Sequence, residues 1–377
     1  MAKKMYIGVD GVARKVKKAY VGVDNVARKV KKMYMGVEGV ARCIFSNSGL
    51  EYYGTATALS QARSSLAATT VGNYGLFGGG GNNSGTCYAT VDAYNASLTR
   101  TTPTELSPAR HQLAATTVRN YALFGGGNNS GTFYTAVDAY NASLTRTTPT
   151  ALSKARYRLA ATTVGNYALF GGGGNTSGDF YTTVDAYNVS LTRTIPTALS
   201  AGRVYMGATT VGNYGLFGGG HNVNNSSLTY FSTVDAYNAS LTRTTPTELS
   251  QARYQLAATT VGNYALFGGG VIRSGHTPTV DAYDTSLTRT TPTALSQAKG
   301  TLAATTVGNY GLFGGGYISG GSTPTVDAYD TSLTRTTPTE LSQGRAYMGA
   351  TSINNYALFG GGLSGPSAVV DVYQVTE

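Results

Sequence analysis

The chain repeats one nine-residue phrase seven times, and this repetition restricts the fold more than any other feature. The phrase reads GNYALFGGG from Gly165, and close variants begin at the following positions: Gly72, Arg119, Gly212, Gly262, Gly308 and Asn354. Successive copies lie 46 to 50 residues apart, measured between their tyrosines. A regular spacing of this size is typical of propellers, solenoids and other repeat architectures.

Each repeat contains four short segments of β-forming composition. A unit reads LAATTVG, NYALFGGG, a variable run, TVDAYN, SLTRTTPT and finally ELSxAR. Gly, Asn and Pro separate the apolar and β-branched segments, and these residues favour turns. Four antiparallel strands in a unit of this length predict one blade of a β-propeller.

Three features of the unit resemble the Kelch repeat: the glycine run after the second segment, the tyrosine of VDAY and the basic residue of LSxAR. The resemblance covers residues 50–377 and implies an all-β, seven-bladed Kelch-like propeller. The chain departs from the Kelch pattern because it has no tryptophan, which Kelch units usually carry on the fourth strand. We therefore expect that strand to pack smaller side chains.

The seventh unit stops after VDVYQVTE and lacks a fourth segment. Near the other end of the chain, LEYYGTATA aligns with SLTRTTPTE through the LSQxR that follows each of them. We therefore predict that residues 50–58 form the fourth strand of the seventh blade. An N-terminal strand in this place would close the ring and pair sheet edges that are otherwise open.

Residues 1–45 carry a second repeat, of 14 residues, in which KKMYIGVDGVARKV from Lys3 recurs with small changes from Lys17 and Lys31. An Asp-Gly, Asp-Asn or Glu-Gly pair between two β-prone arms predicts a tight turn, so we expect three β-hairpins. Hairpins this small need a partner surface. We interpret residues 1–45 as a docking or oligomerisation module and residues 46–49 as a linker to the propeller at 50–377.

The net charge of +10 is concentrated in this module, because residues 1–45 contribute +8 and residues 46–377 only +2. Nucleic-acid binding is the weaker interpretation, since no aromatic or arginine platform accompanies the lysines and lysine also protects exposed sheet edges. The first residues contain no apolar run of secretory length, and no apolar stretch is long enough for a membrane span, so we expect neither a signal peptide nor a span. Cys43 and Cys87 have no metal or redox spacing.

Comparison of the units separates a uniform face from a variable face. In an antiparallel blade, the turns after the first and third strands share one face, and the connections after the second and fourth strands share the other. The first set is nearly constant, whereas the second set changes from unit to unit. Its variable positions are rich in Tyr, Ser, Gly and Asn, which is typical of recognition loops. Loop drift is the alternative, but we expect the ligand surface on the variable face.

Two groups of candidate ligand-binding residues lie on this face. The aromatic group comprises His111, Tyr157, Tyr205, Tyr254 and Tyr347 after the fourth strand, and Tyr88, Tyr134, Tyr181, Tyr230 and Tyr317 after the second. The basic group is the cation of each LSxAR: Arg63, Arg110, Arg156, Arg203, Arg253, Lys299 and Arg345. If these cations are free, they would form a ring at the channel mouth that holds a carboxylate or an acidic sugar. They could instead pair with the aspartates of VDAY, and the sequence leaves both roles open.

The sequence contains no catalytic or metal-binding constellation. His111, His221 and His276 fall in different units, and the glycine runs lead into variable loops, unlike phosphate-binding loops. The copper site of Kelch oxidases has no matching residues. We therefore expect a protein with no enzymatic activity, no cofactor and no metal.

The basic 14-residue repeats joined to near-identical Kelch-like units resemble structural proteins of phages and prophages of Gram-positive bacteria. The resemblance implies a virion protein, such as a tail fibre or receptor-binding protein, synthesised in the bacterial cytoplasm. Residues 1–45 would contact other virion proteins or form a homo-oligomer such as a trimer, and the propeller would bind a host-surface glycan or protein. A purely architectural virion decoration or connector is the alternative.

Overall fold

The computed structural model describes residues 6–9, 12–15, 19–23, 26–30, 32–37, 40–46, 49–224 and 227–376. All regular elements within these ranges are β-strands. The chain divides into two compact units, Met1–Glu51 with Gln374–Glu377, and Tyr52–Tyr373. An apolar helix of membrane-spanning length does not occur in the described ranges.

The three 14-residue repeats form three separate antiparallel hairpins, as predicted. Their paired strands are Tyr6–Val9 with Val12–Lys15, Ala19–Val23 with Val26–Val30, and Lys32–Val37 with Val40–Ser46. The predicted turn pairs at 10–11, 24–25 and 38–39 lie outside the described residues, as do residues 47 and 48 of the predicted linker. The docking role of the hairpins stays a prediction.

Seven four-stranded antiparallel sheets form a seven-bladed β-propeller, which confirms the predicted fold class. The first strands of blades 1 to 7 are Ala67–Val71, Ala114–Val118, Ala160–Val164, Gly207–Val211, Ala257–Val261, Ala303–Val307 and Gly349–Ile353. The second strands are Tyr74–Gly78, Tyr121–Gly125, Tyr167–Gly171, Tyr214–Gly218, Tyr264–Gly268, Tyr310–Gly314 and Tyr356–Gly360. The third strands are Val91–Tyr94, Val137–Asn141, Val184–Asn188, Val234–Asn238, Val280–Tyr283, Val326–Asp330 and Val370–Thr376.

The fourth strands of blades 1 to 6 are short: Arg100–Thr101, Arg146–Thr147, Arg193–Thr194, Arg243–Thr244, Arg289–Thr290 and Arg335–Thr336. Four blades carry an additional small hairpin between their second and third strands: Asn128–Asn129 with Thr132–Phe133, His221–Asn224 with Ser227–Tyr230, Val271–Ile272 with Gly275–His276, and Tyr317–Ile318 with Gly321–Ser322.

Blade 7 takes its fourth strand from the N-terminal side of the propeller. Gly49–Ala56 lies beside Val370–Thr376 in that sheet, close to the predicted residues 50–58. The Tyr52 hydroxyl donates to Asp371 Oδ1 at 2.7 Å. In the other six blades, the arginine of the fourth strand approaches this carboxylate oxygen instead. The closing strand therefore pairs with the sheet and also replaces a recurring polar contact.

The constant phrase packs each blade against the next. The phenylalanine of every second strand is fully buried and lies against the first glycine of the GGG run in the preceding blade. A Cβ atom on Gly171 would lie only 2.9 Å from the ring of Phe217, so no larger residue fits there without displacement. The same contact joins Phe77 of blade 1 to Gly360 of blade 7. Packing between blades thus explains why the phrase is constant.

The first strands form the closed inner ring of the propeller, since each contacts the first strands of both neighbours. Their threonines bond across blades: Thr69 Oγ1 lies 2.8 Å from Thr117 Oγ1, and Thr70 Oγ1 lies 2.8 Å from Thr351 Oγ1, between blades 1 and 7. The second threonine of a strand also donates to the main chain of the preceding blade, as Thr163 does to the Thr117 carbonyl at 2.5 Å. These bonds fix the inner strands in register around the channel.

Candidate ligand-binding site

The two variable connections of each blade are joined by main-chain hydrogen bonds. In blade 3, the N–H of Tyr157 donates to the carbonyl of Gly174 at 3.1 Å, and the reverse bond has the same length. Equivalent bridges occur in all seven blades: Ser64–Gly81, His111–Asn128, Tyr157–Gly174, Val204–His221, Tyr254–Val271, Gly300–Tyr317 and Ala346–Leu363. The connections after the second and fourth strands therefore share one face, as predicted.

The residue that follows each of these bridges belongs to a closed ring of main-chain hydrogen bonds, which we call the mouth ring. Its members are Ser65, Gln112, Arg158, Tyr205, Gln255, Thr301 and Tyr347. Each N–H donates to the carbonyl of the mouth-ring residue in the preceding blade at 2.8–3.1 Å, and Ser65 closes the ring by donating to Tyr347. All seven residues have left-handed φ angles between 52° and 57°.

This conformation makes the identity of the mouth-ring residues informative. A left-handed backbone costs an L-residue roughly 1–2 kcal/mol, and glycine avoids that cost. The chain contains 50 glycines, yet none occupies the mouth ring. Six leucines also have positive φ, from Leu98 in blade 1 to Leu333 in blade 6, but they pack against the hydrophobic core. The mouth-ring side chains instead line a cavity.

The cavity has a volume of about 210 Å³ and combines an apolar floor with polar walls. The residues that directly follow the mouth ring form the floor, and they are five leucines and two methionines. The mouth-ring side chains form the walls. Among the residues that line the cavity, none is acidic and Arg158 alone is charged. Such a site can donate hydrogen bonds to a ligand and also contact its apolar surface.

The guanidinium of Arg158 contacts two aromatic rings. Its guanidinium carbon lies 4.5 Å from the ring centroid of Tyr157 and 4.6 Å from that of Tyr205. Its Nε atom is buried without a hydrogen-bond partner. None of the ion pairs within 49–224 and 227–376 includes this arginine. The cation at the mouth is therefore positioned by stacking and is not neutralised by a carboxylate there.

Two glutamine–tyrosine bonds connect alternate members of the mouth ring. Gln112 Nε2 donates to the Tyr205 hydroxyl at 3.4 Å, and Gln255 Nε2 donates to the Tyr347 hydroxyl at 3.2 Å. Arg158 lies between the first two residues in the ring, and Thr301 lies between the second two. The mouth therefore contains two related sets, a first triad Gln-Arg-Tyr in blades 2–4 and a second triad Gln-Thr-Tyr in blades 5–7.

Both tyrosines of the triads keep a hydrogen atom to donate. Burial raises the pKa of Tyr205 to about 12, and burial also raises the pKa of Tyr347. Both hydroxyls are therefore protonated near neutral pH. Because each accepts a bond from a glutamine amide, its own O–H remains a donor for a ligand.

The structure corrects the prediction of a free basic ring. All seven cations of LSxAR, Arg63, Arg110, Arg156, Arg203, Arg253, Lys299 and Arg345, are fully buried and out of reach of a surface ligand. Six of them contact the aspartate of VDAY in their own blade at 2.5–3.1 Å, and Arg345 pairs with Asp371 in the same way. The pairing role, which the sequence left open, is the one observed.

Burial removes these pairs from water, and it affects the cations directly. Burial lowers the pKa of Arg156 and the pKa of Lys299, whereas the neighbouring aspartates raise both. Each buried aspartate also accepts hydrogen bonds from a serine of the LS segment, as Asp185 does from Ser153 N–H and Oγ–H at 3.1 Å. The pairs are therefore part of the packing inside each blade.

The aromatic candidates occupy several different environments. Tyr205 and Tyr347 line the cavity, and Tyr157 is buried against Arg158. The Tyr317 ring lies 5.9 Å from Tyr347. The Tyr254 ring lies 4.6 Å from His221 and 5.3 Å from Tyr230.

The remaining candidates belong to individual loops. The Tyr88 and Tyr181 hydroxyls accept bonds from Asn82 and Asn175 at 3.0 Å within their own connections. Tyr134 and His111 are half-buried. Burial lowers the pKa of His111 and of His221, and the positive charge of Arg158 lowers both further. Both histidines are therefore neutral near pH 7. In the ranges 49–224 and 227–376, no group of His, Cys, Asp and Glu is arranged to hold a metal ion.

The aromatic composition of the variable face indicates tyrosines and gives no sign of most of the mouth ring. Ser65, Gln112, Arg158, Gln255 and Thr301 were not predicted. A comparison of units three apart would have found the triads, because HQL, YRL and VYM in blades 2–4 correspond to YQL, GTL and AYM in blades 5–7. The signal is thus a period of three units superimposed on the sevenfold repeat.

No protein-family model matches the chain, and no curated protein matches it. The seven-bladed β-propeller is established by the sheets themselves. One fold supports many functions, so the function of this chain depends on the chemistry of the mouth.

Proposed function

We propose that this is a non-enzymatic recognition protein whose propeller binds a host-surface glycan or protein through the variable face. One observation carries the proposal: seven non-glycine residues of differing chemistry adopt a left-handed conformation around one cavity. Glycine would satisfy the backbone there at lower cost. Side chains retained against such a cost, outside the core, are typical of functional positions.

The architecture suits recognition because the frame and the contact groups are separate. The mouth ring is built from main-chain atoms, whereas its side chains supply hydroxyl, amide, guanidinium and aromatic groups. Tyrosine and short polar residues on a rigid frame provide contact area at low entropic cost. A ligand would therefore meet a preorganised surface.

Blade 4 extends the variable face beyond the mouth. Its small hairpin pairs His221–Asn224 with Ser227–Tyr230, and the cross-strand neighbours Val223 and Leu228 are 39% and 36% exposed. Adjacent exposed apolar side chains favour contact with a partner. We expect this hairpin to contribute a second contact when the ligand is larger than the cavity.

The virion setting of the proposal rests on the resemblance of the repeats to phage and prophage structural proteins. In that setting, residues 1–45 attach the propeller to other virion proteins or to further copies of the chain, and a Gram-positive host supplies the ligand. The three hairpins provide separate strand pairs for such an attachment. Synthesis in the bacterial cytoplasm belongs to the same proposal.

Binding of the labelled full-length chain to Gram-positive cells and to a glycan array tests the proposal. Tyr205→Ala combined with Tyr347→Ala should reduce binding about tenfold or more, because each substitution removes a rigid aromatic contact. Arg119→Gly is the matched control: it lies in the turn after a first strand, on the uniform face, where five other units carry glycine. A wild-type chain that incorporates into particles yet binds neither cells nor glycans would favour the architectural role.

A further inference from the structure

We propose that the mouth ring binds a sugar that carries a carboxylate, and that Arg158 contacts this carboxylate. This inference rests on the proposed recognition function and specifies its ligand class. It assigns the anion-binding role to a residue of the mouth ring, after the structure has excluded the seven buried cations of LSxAR.

The stacking of Arg158 determines how it can bind a ligand. The guanidinium carbon lies over both the Tyr157 and the Tyr205 ring, at 4.5 and 4.6 Å from their centroids, so two aromatic contacts hold the group at the mouth. A guanidinium edge matches the two oxygens of a carboxylate and binds them with two parallel hydrogen bonds. Because the two rings hold the guanidinium in place beforehand, little side-chain entropy is lost on binding.

The charge at the mouth favours an anion with a single negative charge. Arg158 supplies one positive charge, and no acidic side chain lines the cavity to oppose a ligand. The neighbouring His111 and His221 are neutral near pH 7. A carboxylate is therefore balanced by Arg158 alone, whereas a phosphate dianion would leave one charge unpaired inside the mouth.

The remainder of the cavity fits the body of a sugar. Tyr205 and Tyr347 present O–H donors from opposite triads, and the floor is made of leucine and methionine side chains. Sugar rings combine hydroxyl groups on their edges with C–H groups on their faces. Polar walls above an apolar floor therefore match such a ring.

Thr301 provides an internal comparison for Arg158, because it occupies the same place in the second triad. Arg158→Thr converts the first triad into a copy of the second. The substitution removes the cation and keeps a residue type that this chain already accommodates at a mouth-ring position with φ of 53°. Loss of binding in this variant would show that the positive charge of Arg158 and its hydrogen bonds hold the ligand.

The experiment titrates the full-length protein with glucuronate, glucose and inorganic phosphate, followed by calorimetry and by ligand-observed NMR. We expect glucuronate to bind about tenfold or more tightly than glucose, because charge-assisted hydrogen bonds are the stronger ones. Phosphate should not displace glucuronate. Arg158→Thr should reduce glucuronate binding to the level of glucose, Arg158→Lys should retain only part of it, and Arg119→Gly should behave as wild type.

Several outcomes would overturn the inference. Equal affinity for the two sugars, or glucuronate binding unchanged in a folded Arg158→Thr variant, would exclude the assigned contact. Displacement of glucuronate by phosphate would indicate a general anion site. If neither sugar binds while the protein still attaches to cells, the ligand class is wrong but the recognition function stands. If cell attachment is also absent, both proposals fail. Unfolding midpoints of the variants separate loss of binding from loss of fold.

Discussion

The N–H of Ser65 donates to the carbonyl of Tyr347 at 2.9 Å and so joins blade 1 to blade 7. This bond completes the mouth ring. The same two blades are joined deeper in the channel by Thr70 and Thr351, and between their sheets by Phe77 against Gly360. The propeller is therefore closed at several levels, in addition to the pairing of its N-terminal strand.

The conformation of the mouth ring predicts that glycine is tolerated there. Ser65→Gly should raise the free energy of unfolding by about 0.5 kcal/mol, because relief of the left-handed strain exceeds the entropy that glycine adds to the unfolded chain. Urea unfolding measures the change. Ser64→Gly, at the adjacent bridge position, is the control and should lower stability. Equal losses in both variants would argue against strain at the ring.

The buried ion pairs predict a large effect from a small substitution. Asp185→Asn should lower the free energy of unfolding by about 3–5 kcal/mol, because it leaves Arg156 charged and unpaired in a fully buried position. Thermal and urea unfolding report the loss. Asp284→Asn is the matched control, since asparagine makes the same turn bonds at Asn238 in the preceding unit. It should be neutral to within about 0.5 kcal/mol.

Blade 6 allows a substitution that should increase stability, because it alone of the seven blades carries lysine at the buried basic position. Lys299 Nζ lies 3.1 Å from Asp327 Oδ2, yet that oxygen accepts no hydrogen bond of good geometry. Lys299→Arg should raise the free energy of unfolding by about 1 kcal/mol, because arginine at this position pairs with the buried aspartate in every other blade. Arg253→Lys should lower stability by a similar amount. Destabilisation by Lys299→Arg would mean that blade 6 has repacked around lysine.

The closing strand carries a pair of tyrosines that allow a clean comparison. Tyr52→Phe removes the hydroxyl that donates to Asp371 at 2.7 Å and should cost about 1–2 kcal/mol. Tyr53→Phe removes a hydroxyl from a side chain that is 52% exposed and should have little effect. Denaturant unfolding of both variants distinguishes the two. Equal stability would indicate that the Tyr52 bond is not needed for closure.

The proximity of Arg158 to two histidines predicts a change in their titration. Its positive charge disfavours the imidazolium form, so Arg158→Thr should raise the pKa of His111 and of His221, although burial keeps both below the usual value. NMR titration of the imidazole resonances measures this. Because the folded histidines have lowered pKa values, the unfolded chain binds more protons as pH falls through about 6.5, and the free energy of unfolding decreases there. Arg119→Gly should leave both values unchanged.

The fold was predictable because near-identical units repeat the same strand and turn signals. A missing fourth segment at one end and a surplus segment at the other also predicted how the ring closes. The alignment placed Tyr53 opposite the arginine of the other fourth strands, whereas Tyr52 makes the contact with Asp371. The repeat pattern therefore did not fix the register of the closing strand to a single residue.

The site was predictable only to the level of a face. Sequence patterns signal left-handed backbone through glycine, and the mouth ring has none, so residues such as Gln112 and Thr301 gave no sign of their conformation. A basic residue near the channel predicts either a surface contact or a buried pair. Burial decides between them for Arg156 and Arg158, and it depends on tertiary packing that the repeat pattern does not show.

The mouth ring has a consequence for how such a protein can diversify. Every unit contributes one N–H and one carbonyl to the mouth ring in the same place. The side chain at that position therefore takes no part in the main-chain bonds of the ring. Unequal crossing-over between near-identical repeats can therefore exchange whole blades and present a new order of side chains in a single event. The two triads have the form that duplication of a three-blade block would leave. The side chains presented at the mouth thus follow the order of the units, which can be rearranged without a change of fold.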